Sequence, residues 1–300
     1  MGIQLELEAL HVALLDTLPE GVWFADRDGF VRFWSKRSEE ITGFSANDLM
    51  GARFSDILSY CDETGVPIAV APLAQTLEDE SERRAPVFFL HKQGHRIAVE
   101  VQTMPVRSPA GEVIGGREIL RESRDKTSLL HRGQALNTHG LWDAKIESAS
   151  REYMQNQLEM RLDHFRQDGI ATGALLIDID HLANQDRTLG REASDHLLAM
   201  VSRTTLLCIR FTDISGRWED DSILAIMEAS AIGNLEAAAE RMRALIAASS
   251  IRWWGQIVRI TVTVAGTMFR PGDTAASVIS RLTNAVEDAV RAGGDRVSVA

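Results

Sequence analysis

The sequence predicts two domains in tandem: an α+β domain built on an antiparallel sheet with a helical side wall, then an α/β domain whose central mixed sheet is flanked by helices. Its 300 residues, 45% hydrophobic and 25% charged, give each domain a sizeable core and exclude collagen-like or wholly disordered chains. Early in the chain, short alternating runs are punctuated by Gly and Pro turns, the pattern of an antiparallel sheet. Later, amphipathic stretches alternate with apolar runs, the pattern of helices packed on a sheet.

The chain opens with Ile3, Leu7, Leu10 and Leu14 at spacings of four and three, one apolar stripe on an amphipathic helix assigned to residues 1–18. The stripe serves either as a dimer seam or as a cover for the open face of its own domain. After Pro19-Glu20-Gly21, the runs Val22 to Ala25 and Phe30 to Trp34 form a hairpin through Asp26-Arg27-Asp28-Gly29. Helical pieces follow at Ser38 to Gly43 and Ser45 to Met50. Strands then run from Arg84 to Lys92, Arg96 to Val106 and Val113 to Leu120, separated by Gln93-Gly94 and Pro109-Ala110-Gly111. Trp23 and Trp34 lie in strands and are expected in the core or on a dimer surface. His91 and His95 flank a hairpin turn and are expected to face solvent.

The segments LPEGVWFADRDGFVRFWSKRSEEITGFSANDLMG and HKQGHRIAVEVQTMPVRSPAGEVIGGREI, in this order, resemble a PAS sensor domain, assigned to residues 19–122. The resemblance implies ligand sensing, binding of a cofactor such as haem or flavin, or dimerisation, and does not choose among them. Haem-binding members usually offer an axial histidine from the helix before the third strand, and the matching stretch, Ala71 to Leu77, has none. A charged segment over residues 123–137 reads as a helical signalling linker or as a plain solvated one. Asp125 and Thr127 match the Asp-x-Thr element that often ends PAS domains.

Beyond it, Arg151 to Gln167 patterns as an amphipathic helix, and Ala174 to Ile179 is a buried strand ending in Asp178-x-Asp180. Carboxylates at a sheet's exit can share a divalent cation with a nucleotide's phosphates. A helix from Glu192 to Leu207 precedes two strands, Ile214 to Trp218 and Ile223 to Met227, joined by the acidic turn Glu219-Asp220-Asp221-Ser222. A helix (Leu235 to Ala248), a strand (Val258 to Gly266), a helix (Ala275 to Arg291) and a last strand (Arg296 to Val299) complete the unit. The runs LLIDIDH, GRWEDDSILAIM, ITVTVAG and AGGDRVSV resemble, in family order over residues 138–300, the GGDEF domain of diguanylate cyclases. That resemblance implies a nucleotide-cyclase palm-like fold and, in active members, condensation of two GTP molecules into cyclic di-GMP.

Residue by residue, the resemblance implies an inactive copy. The name-giving Gly-Gly-Asp/Glu-Glu-Phe turn falls on Glu219, Asp220, Asp221, Ser222 and Ile223. Two carboxylates replace glycines that let the backbone approach the nucleotide, and they repel a triphosphate. Ser222 removes the fourth-position acid. The family's phosphate-holding lysine becomes Ala183, the guanine-reading asparagine Asp186, the later lysine Val290 and its companion arginine Gly294, while the early Leu-Thr-Gly-Leu-Pro motif survives only as His139-Gly140-Leu141. Phosphoryl transfer depends on positioning and charge neutralisation, so each lost cationic contact costs roughly a hundredfold in rate. Asp178, Asp180 and Asp195 match the family, and a residual nucleotide or metal site would be built on Asp178, Asp195 and Asp221. No resident metal is expected.

Arg210-Phe211-Thr212-Asp213 precedes Glu219 at the spacing of the family's inhibitory product site, Arg-x-x-Asp. The resemblance implies cyclic di-GMP binding there. Arg210 can pair with phosphate or the guanine Hoogsteen edge, and Asp213 can accept from guanine N–H groups. Arg241, from the helix after the hairpin, is the best-placed third residue, with Arg243 as runner-up. The other reading is a surface ion pair left from an active ancestor.

The net charge of −11 (32 basic and 43 acidic residues) is spread over both halves and argues against nucleic-acid binding. No apolar run suits membrane insertion, and the acidic start lacks a signal peptide's basic region, so a cytoplasmic protein is expected. Cys61 and Cys208 are too few for a disulfide framework and lack the spacing of a zinc site. The sequence thus leads to a catalytically inactive receptor for cyclic di-GMP, homodimeric and acting on a downstream protein. The alternatives are a nucleotide-independent dimeric scaffold or a residual GTP-binding enzyme. No phosphodiesterase domain is expected to follow.

Overall fold

The computed structural model describes residues 13–122, 141–210 and 212–300. The helix expected over residues 1–18 lies largely outside this range, although residues 13–16 are helical. The linker assigned to residues 123–137, and His139 and Gly140, also lie outside it. The chain divides into two compact units.

The first unit opens with the hairpin β1 (Gly21–Asp26) and β2 (Val31–Trp34). Three short helices follow, α1 (Lys36–Thr42), α2 (Ala46–Leu49) and α3 (Phe54–Ile57). Ser35 caps α1 by accepting from the Ser38 amide, and Gly43 ends it in the left-handed region at φ +75°. Next come β3 (Tyr60–Cys61), α4 (Pro72–Asp79), β4 (Arg83–Leu90), β5 (Arg96–Arg107) and β6 (Val113–Glu122). The sheet runs in the order β2-β1-β6-β5-β4-β3. Five strands were legible in the sequence. The sixth, β3, has two residues, too few to show an alternating pattern.

Trp23 and Trp34 belong to the core, their rings 5.5 Å apart, with Phe54 edge-on to Trp23 at 5.4 Å. The two histidines depart from the exposure expected of them. His95 is buried, and the His91 ring is half-buried over Gly43, where even a Cβ would approach it to 2.5 Å. Both cysteines are buried and unbridged.

The second unit begins with β7 (Trp142–Asp143) and β8 (Ser148–Ala149), then α5 (Arg151–Asp168), β9 (Thr172–Ile179), α6 (Leu182–Leu189) and α7 (Arg191–Cys208). The hairpin β10 (Ile214–Arg217) and β11 (Ser222–Glu228) leads to α8 (Ile232–Ala247). A second hairpin, β12 (Ile251–Trp253) and β13 (Gln256–Val258), precedes β14 (Val262–Met268), α9 (Ala275–Arg291) and β15 (Val297–Val299). The strand expected from Val258 to Gly266 therefore breaks after Val258, the last residue of β13, and resumes at Val262, while the unexpected β12–β13 hairpin turns at Trp254 (φ +46°) and Gly255 (φ +82°), a left-handed turn that an indole side chain disguises in the sequence.

The mixed sheet runs β15-β14-β9-β11-β10-β8-β7. Central β9 pairs antiparallel with β11 and β14 and reads as a nearly continuous apolar run because both its faces are covered. Met154, Leu158 and Leu162 of α5 join Val278, Leu282 and Val286 of α9 over Ala174, Leu176, Leu224 and Ile226. Leu235 of α8 packs close to Gly173 and Gly266. The consequence for function is positional: the Asp-x-Asp end of β9 and the β10–β11 turn lie at the same end of the sheet, with Ser222 in register opposite Asp178.

Gly216 of β10 sits where a Cβ would meet Met154 Cγ at 2.5 Å and the Ala149 carbonyl oxygen at 2.7 Å. Gly216→Ala is expected to destabilise the second unit by about 1–3 kcal/mol, measurable as an earlier urea transition in the full chain.

Candidate functional site

The site residues expected from the sequence gather at two turns, one rich in acidic side chains and the other presenting an arginine. The first is the β10–β11 turn. The Glu219 carboxylate lies 3.7 Å from the Arg151 guanidinium, Asp220 is fully exposed and 3.3 Å from Arg217, and Asp221 is exposed. Arg217 gives its better contact, 2.8 Å, to Asp143. Burial pushes the Asp178 carboxyl up to about 6, and the like charges of Asp221, Asp180 and Glu219 push it the same way.

Asp180 lies on the same face as Asp178 but is already engaged. Its carboxylate accepts from the Thr261 hydroxyl (2.7 Å), the Thr263 hydroxyl (2.7 Å) and the Asp295 amide (3.0 Å), which fastens β9 to β14 and to the loop before β15. Gly294, at φ +68°, lies so close that a Cβ would stand 2.9 Å from Asp180 Oδ1. The position where the family resemblance puts an arginine thus has no room for one without a shift. Val290, at the lysine position, is exposed. Asp195 pairs with Lys145 at 3.6 Å. Among the described residues, no group of three or more His, Cys, Asp or Glu side chains is disposed to hold a metal ion.

The second turn joins α7 to β10. Arg210 is exposed on it. Asp213 is 1% exposed, and its carboxylate accepts from the Arg210 amide (2.7 Å) and the Glu228 amide (3.2 Å), while its own amide donates to the Arg210 carbonyl (3.1 Å). The carboxylate expected to accept from guanine N–H groups is thus buried and bonded to two backbone amides, which shapes the turn that presents Arg210. The same bonding pattern recurs at Arg270 and Asp273, so an Arg-x-x-Asp turn is by itself a structural device.

What distinguishes the Arg210 turn is the company it keeps. Arg241 of α8 donates to the Cys208 carbonyl at 2.5 Å. Arg161 of α5 donates to the Thr212 carbonyl at 2.7 Å and pairs with Glu228 at 3.0 Å. Three arginines from three separate segments therefore converge on one turn. The runner-up, Arg243, is engaged by Glu240 and Asp295 instead. Arg161 escaped sequence reasoning because it is one charged residue on a helix rich in them. The available signal was that it precedes the buried Leu162, at the edge of the apolar stripe rather than at its solvent pole.

Residues 143–296 match the family model described as diguanylate cyclase, GGDEF domain, and residues 9–116 match that of the PAS fold. The chain belongs to the GGDEF family. Its GGDEF domain is preceded by a PAS domain, as the two resemblances implied, and both sheets have the expected architecture. The chain is 26% identical over 151 residues to diguanylate cyclase DgcP of Pseudomonas aeruginosa, covering 50% of this chain and 22% of that protein. It is 24% identical over 151 residues to the response regulator PleD of Caulobacter vibrioides, covering 49% of this chain and 33% of the relative. The chain thus spans about a fifth to a third of the curated relatives it matches.

Among solved structures, the GGDEF domain of DgcB from Caulobacter crescentus, in complex with c-di-GMP, aligns at a TM-score of 0.52 and 19% identity, covering 53% of this chain and 93% of that one. Diguanylate cyclase SiaD from Pseudomonas aeruginosa, in complex with its activator SiaC, aligns at 0.53 and 21%, covering 58% and 67%. At these identities the likeness shows the fold. No helix among the described residues is long and apolar enough to cross a membrane.

The raised pKa of Asp178 has a definite sign. Its ordinary value is 3.8, so between about pH 4 and 6 the native state keeps a proton that the unfolded chain has lost, and stability falls as pH rises through that window. Asp178→Asn should therefore stabilise the GGDEF domain at pH 7.5, by about 1 kcal/mol after allowing for partial exposure. The gain should shrink at pH 4.5. Urea midpoints at the two pH values check this.

Proposed function

We propose that this PAS–GGDEF protein is a catalytically inactive receptor that binds cyclic di-GMP at the Arg210 turn and passes occupancy to a protein partner. The observation that carries this reading is the charge contrast between the turns. Three arginines gather at residues 208–213, where an anionic dinucleotide would be welcomed. The β10–β11 turn and the end of β9 gather Asp178, Glu219, Asp220 and Asp221, where a triphosphate would be repelled.

On this reading the exposed Arg210 is the cationic contact for phosphate or the guanine Hoogsteen edge. Arg241 and Arg161 hold the turn and add positive potential, and Asp213 keeps the backbone in shape. The fold shared with the DgcB domain, solved in complex with c-di-GMP, supports the ligand class. SiaD in complex with its activator SiaC supports a fold that docks protein partners. Loss of turnover follows from the missing cations. With alanine, valine and glycine at positions 183, 290 and 294, no side chain at those positions can neutralise charge developing on a transferring phosphoryl group.

A second reading, a nucleotide-independent dimeric scaffold, is favoured by one observation: the Arg270–Asp273 turn has the same internal bonds, so the Arg210 turn could be structural alone. Calorimetry separates the two. Cyclic di-GMP should bind the full chain at tens of micromolar or tighter. Arg210→Ala should weaken binding at least tenfold without changing the melting temperature, and Arg241→Ala should weaken it too. No binding, or unaltered binding in Arg210→Ala, overturns the receptor assignment. Incubation with GTP and magnesium should yield no cyclic di-GMP, and its accumulation would overturn the inactive assignment.

A further inference from the structure

We propose that Glu118, with Tyr60 and Trp23, forms a proton-binding site in the core of the PAS domain, so that the folded domain takes up and releases a proton there and the β1–β6 strand pair responds to pH. Nothing in this inference depends on the dinucleotide.

Glu118 occupies an inward position of β6, two residues before the fully buried Leu120, and is itself 0% exposed. Across the sheet it stands in register between Trp23 of β1 and Thr103 of β5. Its Oε1 accepts from the Tyr60 hydroxyl at 2.9 Å and from Trp23 Nε1 at 3.2 Å. Its Oε2 is buried with no hydrogen-bond partner.

Among the described residues no Lys, Arg or His pairs with it. The charged groups of the elements packed against β6 are engaged elsewhere, apart from Lys36 of α1 and Glu78 of α4, which are exposed. Arg37 of α1 is held by Glu40 and Glu122, Asp26 of β1 by Arg32, Glu100 of β5 by Arg84, and Asp79 of α4 by Arg83. The hydroxyls of Thr103 and Thr76 bond each other at 2.7 Å. Tyr60 is the titratable group bonded to Glu118, and burial beside that carboxyl pushes its phenol well up, which keeps it a neutral donor.

An uncompensated carboxylate in such a place is costly, and the neutral acid is the cheaper state. Burial pushes the Glu118 carboxyl up to about 7, while the bonds from Tyr60 and Trp23 pull the other way. The surrounding core is filled by Trp23, Leu73, Phe89 and Leu120, all 0% exposed, so the ligand that fits against Oε2 is a proton. Because the folded value lies above the ordinary 4.5, the unfolded chain loses its proton first. The domain's stability therefore falls as pH rises from about 4.5 to about 7 and is level beyond. The strand that carries Glu118 ends four residues later at Glu122, where the chain leaves the sheet toward the GGDEF domain. Ionisation thus strains the strand through which the two domains are covalently joined.

The test follows the Trp23 indole N–H resonance of the full-length, nitrogen-15-labelled protein from pH 5.5 to 8.5, with the resonance assigned by Trp23→Phe. A single titration with its midpoint near 7 is expected, abolished in Glu118→Gln. Tyr60→Phe removes a donor that favours the carboxylate and should move the midpoint upward by about one pH unit. A purely structural glutamate would give a flat wild-type resonance. That result, or a midpoint unchanged in Glu118→Gln or not raised in Tyr60→Phe, overturns the proposal. Should Glu118→Gln fail to fold, the displacement in Tyr60→Phe decides alone.

Discussion

The GGDEF domain hangs on the fastening made by Asp180. Alternation along β9 puts Asp178 and Asp180 on one face, and the fold commits one of them to structure. Asp180 takes two threonine hydroxyls and a backbone amide and so ties β9, β14 and the loop before β15 at a single point. The close approach that makes this bond set requires glycine at 294. With glycine there, position 294 offers no cation to the strand exit, Asp178 is left among the like charges of Asp221, Asp180 and Glu219, and its proton is held well above the ordinary range. The electronegative character of this end of the sheet is thus a packing consequence as much as a matter of which acids the turn contains.

Around the far side of the β10 strand the logic reverses. The Arg210 turn is also built by a buried aspartate, but there the carbonyl oxygens on either side of the arginine are held by guanidinium groups from α5 and α8. A turn whose carbonyls are bonded by cations presents positive potential, and its exposed arginine adds to it. One small domain therefore holds an acidic and a basic turn at the two ends of a four-residue strand. In the receptor reading proposed above, that separation would let ligand binding outlast turnover.

Much of this was legible in the sequence because it rests on local rules. The alternation in β1, β5 and β6, the apolar run of β9, the acidic turn and the Arg-x-x-Asp register all depend on a few adjacent residues. What was not legible depends on tertiary neighbours. Asp213 looks like a ligand-facing acid until the Glu228 amide is seen to use it. Arg161 looks like a solvated helix charge until its bond to Thr212 is seen. Glu118 lies in an alternating strand where a glutamate ordinarily marks the wet face, and the inward register alone makes it a core residue. The turn at Trp254 and Gly255 was hidden because a bulky residue adopts a conformation usually left to glycine or asparagine.

Amide shift mapping by NMR tests the central claim most directly, with cyclic di-GMP and, separately, magnesium-GTP added to the full chain. The dinucleotide is expected to perturb residues 208–213 together with the neighbourhoods of Arg161 and Arg241, leaving 178 and 219–222 untouched, and GTP is expected to perturb neither set. Dinucleotide shifts centred on 178 and 219–222, with a silent Arg210 turn, would contradict it.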